Sequence, residues 1–143
     1  MGAFRIVELD HVVLRVVDVD RAKRFYCDML GCREERRLDD FGIVQLRAGK
    51  ALIDLVPLGG FLGRRGGRAA AADGRNMEHF CLRIDPFDER VIRALLAAHG
   101  VTPDRVEERY GADGYGPSMY IRDPDGNVVE LKGPPQRPAL NAV

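Results

Sequence analysis

Two stretches of this chain alternate apolar and polar positions in the same order. His11-Val12-Val13-Leu14-Arg15-Val16 places Val12, Leu14 and Val16 on one side of an extended strand and His11, Val13 and Arg15 on the other. The run His79-Phe80-Cys81-Leu82-Arg83-Ile84 repeats the pattern 68 residues later, with Phe80, Leu82 and Ile84 opposing His79, Cys81 and Arg83. A period of two predicts a strand with one covered face at each place.

After each strand the period becomes helical. Ala22, Phe25, Tyr26, Met29 and Leu30 recur at helical spacing and predict a helix from Asp20 to Leu30, stopped by Gly31. In the second copy Asp85 is a natural N-cap and Pro86 suits the first helical position. Phe87, Val91, Leu95 and Ala98 make the apolar stripe, and Gly100 ends the element. Each helix is predicted to cover the apolar face of its own strand.

Three further strands follow in each half: Arg33–Leu38, Gly42–Arg47 and Ala51–Pro57, then Arg105–Tyr110, Ser118–Arg122 and Asn127–Lys132. The closing strands match, Leu52-Ile53-Asp54-Leu55-Val56 against Val128-Val129-Glu130-Leu131-Lys132, with a carboxylate in the middle of each. The fold class expected is therefore α+β, two βαβββ modules in one domain of 143 residues. The modules fall at 6–58 and 76–133, joined by a linker at 59–75 and followed by an extended tail at 134–143. Gly59 to Gly74, rich in Gly, Ala and Arg, has the composition of a mobile loop.

Composition narrows the partners. The chain is 45% hydrophobic and 31% charged, with 22 basic and 22 acidic residues, so no net charge draws it to phosphate backbones or anionic membranes. No apolar run reaches the roughly 18 residues that cross a bilayer, and the first residues lack a signal-peptide core. Cys27, Cys32 and Cys81 are an odd count without a CxxC pair, which argues against a disulfide framework or a zinc knuckle. A reducing cytoplasm is the expected address.

The candidate chemistry lies on the strand faces that the helices do not cover. Two histidines at equivalent positions, His11 and His79, need a shared reason to be there, and a metal is the simplest. Imidazole and carboxylate together suit Fe(II), Mn, Ni, Co or Zn, and ligand type does not choose among them. His11, His79 and Glu130 would make a two-histidine, one-carboxylate set, and Asp54 a fourth ligand, a water-mediated one or an outer neighbour. About two positions of an octahedral site would stay open to a substrate with adjacent oxygens.

Four segments carry a family likeness: Leu9 to Val16, Phe25 to Gly31, His79 to Leu82, and Arg122-Asp123-Pro124-Asp125-Gly126-Asn127 through Leu131. In these the chain resembles the vicinal oxygen chelate superfamily, which includes glyoxalase I, extradiol dioxygenases, fosfomycin-resistance proteins and bleomycin-binding proteins. The likeness runs from about Ile6 to Lys132. It implies paired modules curled into a cup-shaped mixed sheet around a metal site, and a homodimer in which modules of two chains can complete each site. It places His11, Asp54, His79 and Glu130 at the metal positions of glyoxalase I, with Asp54 standing where those proteins usually carry Glu or Gln. In the dioxygenases His11, His79 and Glu130 correspond to the iron ligands.

Three functions follow as expectations. The leading one is a glyoxalase-like isomerase or lyase, dependent on a divalent metal and using Glu130 or Asp54 as the base on a small substrate with vicinal oxygens. The second is an extradiol dioxygenase with Fe(II). The third is a metal-free small-molecule binding or resistance protein.

Other residues have plainer readings beside functional ones. Arg15 and Arg83 either anchor an anionic substrate or neutralise Asp54 and Glu130. Tyr110, Tyr115, Ser118 and Tyr120 carry hydroxyls that could steer substrate oxygens or simply pack. Cys81 shares the face of His79 and is expected to be an inert thiol. Arg64, Arg65, Arg68 and Arg75 read as a solvated loop, or as a lid over an acidic substrate. Asp123 to Asn127 is a tight turn and not a calcium loop, because Gly126 precedes Asn127. His99, in the last turn of the second helix, is assigned no catalytic role.

Overall fold

The computed structural model describes residues 2–141, so the last two tail positions, 142 and 143, lie outside the described residues. The chain divides into two compact units after Ala69.

In the first unit β1 (His11–Val16) is followed by α1 (Val19–Lys23), which runs on as a π-helical turn through Arg24–Met29. Strands β2 (Arg33–Leu38), β3 (Ile43–Ala48) and β4 (Ala51–Pro57) complete a mixed sheet of order β1-β4-β3-β2, with β1 and β4 parallel. The helix begins one residue earlier than expected, at Val19. Asp18 is the cap: its carboxylate accepts from the Arg21 N–H at 3.0 Å, an interaction worth about 1 kcal/mol. The widened turn is marked by the Leu30 N–H donating to Phe25 O at 3.1 Å. That turn brings both Phe25 and Tyr26 onto the buried face, their rings edge to face at 4.8 Å. Such a pair adds about 0.5–1.5 kcal/mol beyond the area it buries. With Ala22, Met29, Leu14, Val16, Leu46, Ile53 and Leu55 they form this unit's core.

In the second unit β5 (Phe80–Arg83), α2 (Glu89–Ala98), β6 (Glu107–Gly111), β7 (Gly114–Arg122) and β8 (Val128–Lys132) repeat the plan, in order β5-β8-β7-β6 with β5 and β8 parallel. Two expectations are corrected here. The helix is capped by Asp88, which accepts from the Val91 N–H at 3.1 Å, so Asp85 and Pro86 precede it across a cis peptide bond. Its buried stripe is out of phase with the one expected. Leu96 is fully buried, while Val91 and Leu95 are exposed. The residue four before Leu96, Ile92, lies on the same face. The tail also does more than leave the domain. Arg137–Pro138 forms a short β9 that pairs antiparallel with β7 at Gly114 and Tyr115.

The expected linker is partly structured. Gly63–Gly66 forms a 3-10 turn that belongs to the first unit. Among the described residues no helix is long and apolar enough to cross a membrane.

Candidate functional site

Strand alternation puts the candidate residues on the sheet face opposite the helix. In the first unit Asp54 pairs across the sheet with Gln45 of β3 and Val13 of β1, between Ile53 and Leu55 of the core. Its backbone is therefore fixed by a central strand, and its side chain is only 4% exposed. Gln45 Nε2 donates to Asp54 Oδ2 at 2.9 Å, and Gln45 Oε1 in turn accepts from Arg36 Nε at 2.5 Å. Asp54 Oδ1 is buried with no hydrogen-bond partner. His11 stands at the start of β1 with Nδ1 2.6 Å from Asp10 Oδ1. The hydrogen bond to Asp10 raises the His11 pKa, and the Asp54 charge raises it further.

The second unit repeats this arrangement with other side chains. Glu130, 6% exposed, pairs with Tyr120 of β7 and Cys81 of β5. Glu130 Oε2 is 3.2 Å from His79 Nε2, and Glu130 Oε1 is buried with no hydrogen-bond partner. His79 Nδ1 is held by the Glu78 carboxylate. The His79 ring meets Tyr120 edge to face at 5.2 Å, and the Arg109 guanidinium lies over the other part of that row, 4.3 Å from the Tyr120 ring centre. Arg109 also donates to Ser118 Oγ at 2.8 Å. Desolvation and the Glu130 charge raise the Tyr120 pKa. Cys81, the neighbour of Glu130 across the sheet, has exposed surface, yet desolvation of its thiol and the carboxylate beside it push its pKa up to about 12. A cleft of about 350 Å³ opens in this unit beside Tyr120, lined also by Glu78, Val101, Asp104, Arg122 and Val128.

Each unit thus carries on one sheet face an arginine, a polar side chain and a buried acid, with a histidine at the head of the neighbouring strand. An acid precedes each histidine in sequence and takes its Nδ1, which leaves Nε2 as the other nitrogen; at His79 that nitrogen meets Glu130 Oε2. A buried carboxylate oxygen without a donor is costly unless something cationic reaches it, and here it recurs at the same repeat position. The donor set, imidazole nitrogen and carboxylate oxygen, fits a divalent metal. Among the described residues no three or more His, Cys, Asp or Glu side chains stand together as a cluster able to hold one. The four candidate ligands stand as two pairs, one in each unit.

Several expected substrate residues are engaged elsewhere. Arg15 gives its guanidinium to the loop that follows β4, donating to Gly63 O at 3.0 Å, to Arg68 O at 3.3 Å and to Gly67 O. Arg83 pairs with Asp113. Tyr110 is on the strand face opposite Glu130, its hydroxyl accepting from the Leu140 N–H at 2.9 Å, and its ring packs on Tyr115. Ser118 and Tyr120 do lie on the Glu130 face, although Ser118 is fully buried beneath Arg109. Asp123 accepts from the N–H groups of Asp125 and Asn127 at 2.9 and 2.8 Å, which makes the turn reading of that segment a structural fact. Arg75 of the linker clips this turn, donating to Asp125 O at 2.8 Å.

Four participants were not singled out from the sequence: Asp10, Glu78, Gln45 and Arg109. The first two were within reach, because an acid before each histidine is part of the 68-residue repeat. Gln45 and Arg109 needed the strand register.

Comparison with known proteins agrees with this architecture. Virulence protein STM3117 of Salmonella typhimurium is 28% identical over 131 residues, covering 88% of this chain and 83% of that protein. Its crystal structure superposes with a TM-score of 0.69 over 92% of this chain and 99% of that one. A protein from the mobile metagenome of V. Pseudocholerae is 29% identical, with a TM-score of 0.72 over 92% of this chain and 98% of its own. Lactoylglutathione lyase from Agrobacterium tumefaciens, 24% identical with a TM-score of 0.60 over 88% of this chain and 92% of that one, shares the fold. The family model described as Glyoxalase/Bleomycin resistance protein/Dioxygenase superfamily matches residues 8–131, which takes in both histidines, both buried acids and the strands that carry them, and the chain belongs to that superfamily.

Proposed function

We propose that this chain is a divalent-metal-dependent enzyme acting on a small substrate with vicinal oxygens, as a glyoxalase-like isomerase or lyase. His11, Asp54, His79 and Glu130 are its metal ligands. One observation carries the reading: at the same repeat position each unit buries a carboxylate oxygen, Asp54 Oδ1 and Glu130 Oε1, with no donor to satisfy it. The orphaned oxygen on Asp54 favours the four-residue set over the three-residue iron set of a ring-cleaving dioxygenase.

When bound, the metal supplies Lewis acidity toward two adjacent substrate oxygens. The remaining work falls to the chain. Asp10 and Glu78 fix the histidine rings through Nδ1. Gln45 occupies Asp54 Oδ2, so only Oδ1 is free to take a ligand or a proton. Glu130 is the corresponding group of the second unit, and these two carboxylates are the candidate general bases. The Tyr120 ring walls the face beside His79.

The protein acts in the cytoplasm as a homodimer in this reading. Phe4, Ile6, Val7 and Leu9, each at least 75% exposed, are the apolar surface in the first unit that a second copy would cover.

The test is metal content after chelator-free purification, by plasma mass spectrometry, with His79→Ala and Asp54→Ala alongside. Stoichiometric Ni, Co, Mn or Zn that both substitutions diminish is the expected result. Stoichiometric Fe with oxygen uptake on catechols would move the assignment to ring cleavage. A protein that takes up no metal on reconstitution would be a binding protein. Asp54→Ala with full metal and full turnover would remove Asp54 from the site.

A further inference from the structure

The face that bears Glu130 also buries a lysine. Lys132, two residues along β8 and paired with Ser118 of β7 and Arg83 of β5, is 7% exposed. Neighbouring strands leave it a path. A Cβ on Gly111 would stand 2.7 Å from Lys132 Cε, and one on Gly116 3.1 Å from Lys132 Nζ. Both positions are glycine, so the aliphatic stem lies across a floor of bare backbone at the β6–β7 end of the sheet. The other cations of this face have acids: Arg83 pairs with Asp113, and Arg109 with Glu107 at 3.1 Å. Lys132 has no ion pair and no hydrogen bond among the described residues.

The stem is out of water, but Nζ is not among the buried side-chain atoms without a partner. The ammonium therefore keeps an opening to solvent, through which an anion can reach a fixed, unpaired cation. We propose that Lys132, opposite Ser118 on β7, forms an oxyanion subsite that holds a carboxylate or phosphorus oxyanion of the substrate. The inference rests on the reading above only in taking the Glu130 face as the substrate face. It narrows the substrate class to small molecules with vicinal oxygens at one end and an anionic group at the other. Residues two apart on a strand are separated by about 6.6 Å, and the lysine stem points away toward β6. The anion therefore sits several bonds from the chelating oxygens and is not one of them. Arg15 and Arg83, the arginines that the sequence offers for this task, are already engaged.

The test uses the full chain treated with a chelator, so that no metal contributes. Inorganic phosphate, methylphosphonate and acetate are titrated at constant ionic strength against the wild type, Lys132→Met and Lys132→Gln, by calorimetry and thermal midpoint. Saturable binding of one of these anions that both variants weaken about tenfold or more is the expected result. The anion that saturates tells a carboxylate from a phosphorus oxyanion. Lys132→Met keeps the stem, so it should melt at or above the wild type without anion. Two results overturn the subsite: no saturable binding by the wild type, or equal binding by a folded variant. Metal uptake measured on the same preparations separates this failure from failure of the metal site.

Discussion

Gln45 Nε2 donates to Asp54 Oδ2 at 2.9 Å, and that single bond leaves the buried aspartate with only Oδ1 open. The shorter side chain at this position has little reach, so its orientation matters more than a glutamate's would.

Removing this donor should cost stability. Gln45→Leu leaves a second oxygen of a carboxylate that is only 4% exposed without a partner, which costs about 1–3 kcal/mol. Urea unfolding of the metal-free protein should show a lower midpoint with an unchanged slope. An unchanged midpoint would mean that water replaces Gln45 and that it does not position Asp54. Metal binding should also weaken, because Asp54 is then free to rotate.

Arg15 fastens the loop after β4 rather than a substrate. A Cβ on Gly66 would stand 2.3 Å from its guanidinium, so the loop closes tightly on it. Arg15→Met should release the segment, and trypsin should cut after Arg64, Arg65 or Arg68 several-fold faster than in the wild type. Cleavage there at the wild-type rate would show that the 3-10 turn holds by itself.

The thiols should be slow. Burial pushes Cys32 up to about 11, and burial with the Glu130 charge pushes Cys81 up to about 12. Thiolate is the reactive form, so at pH 8 only about one Cys32 in a thousand is ionised, and fewer at Cys81. Alkylation of the native protein should be far slower at both than in denaturant, and should rise about tenfold per pH unit between 8 and 10. Rapid labelling of Cys81 at pH 8 would place it in a more solvated setting than this.

Much of the architecture is legible without coordinates because strands and helices have different periods. His11 to Val16 and its partner at 79–84 alternate, and the Phe25–Tyr26–Met29 spacing is helical, so both βαβββ units follow from apolar positions alone. The boundaries of β1, β2 and β4 emerge as the pattern predicts, although β2 is exposed along its length and only β1 and β4 carry buried residues. The second helix is where the pattern misleads. Asp85-Pro86 is a plausible start, but Asp88 supplies the cap, and a shift of the start by three residues turns another face to the sheet.

The site divides along the same line. The repeat by itself marks the candidate residues: a histidine that opens each unit and an acid in each closing strand; Asp10 and Glu78 lie in the same repeat but were not singled out from it. What only the tertiary structure decides is which side chains surround them. The offset between copies grows from 68 at the histidines to 76 at Asp54 and Glu130, because the second unit carries a longer path between its strands. Gln45 and Tyr120, which stand opposite the two acids, therefore have no common spacing to reveal them, and they differ in kind. Nor does spacing show that Arg15 is spent on backbone carbonyls, or that Gly111 and Gly116 leave room for a buried lysine. Those are facts of cross-strand register and loop closure, in which residues remote in sequence meet, and local periodicity carries no record of them.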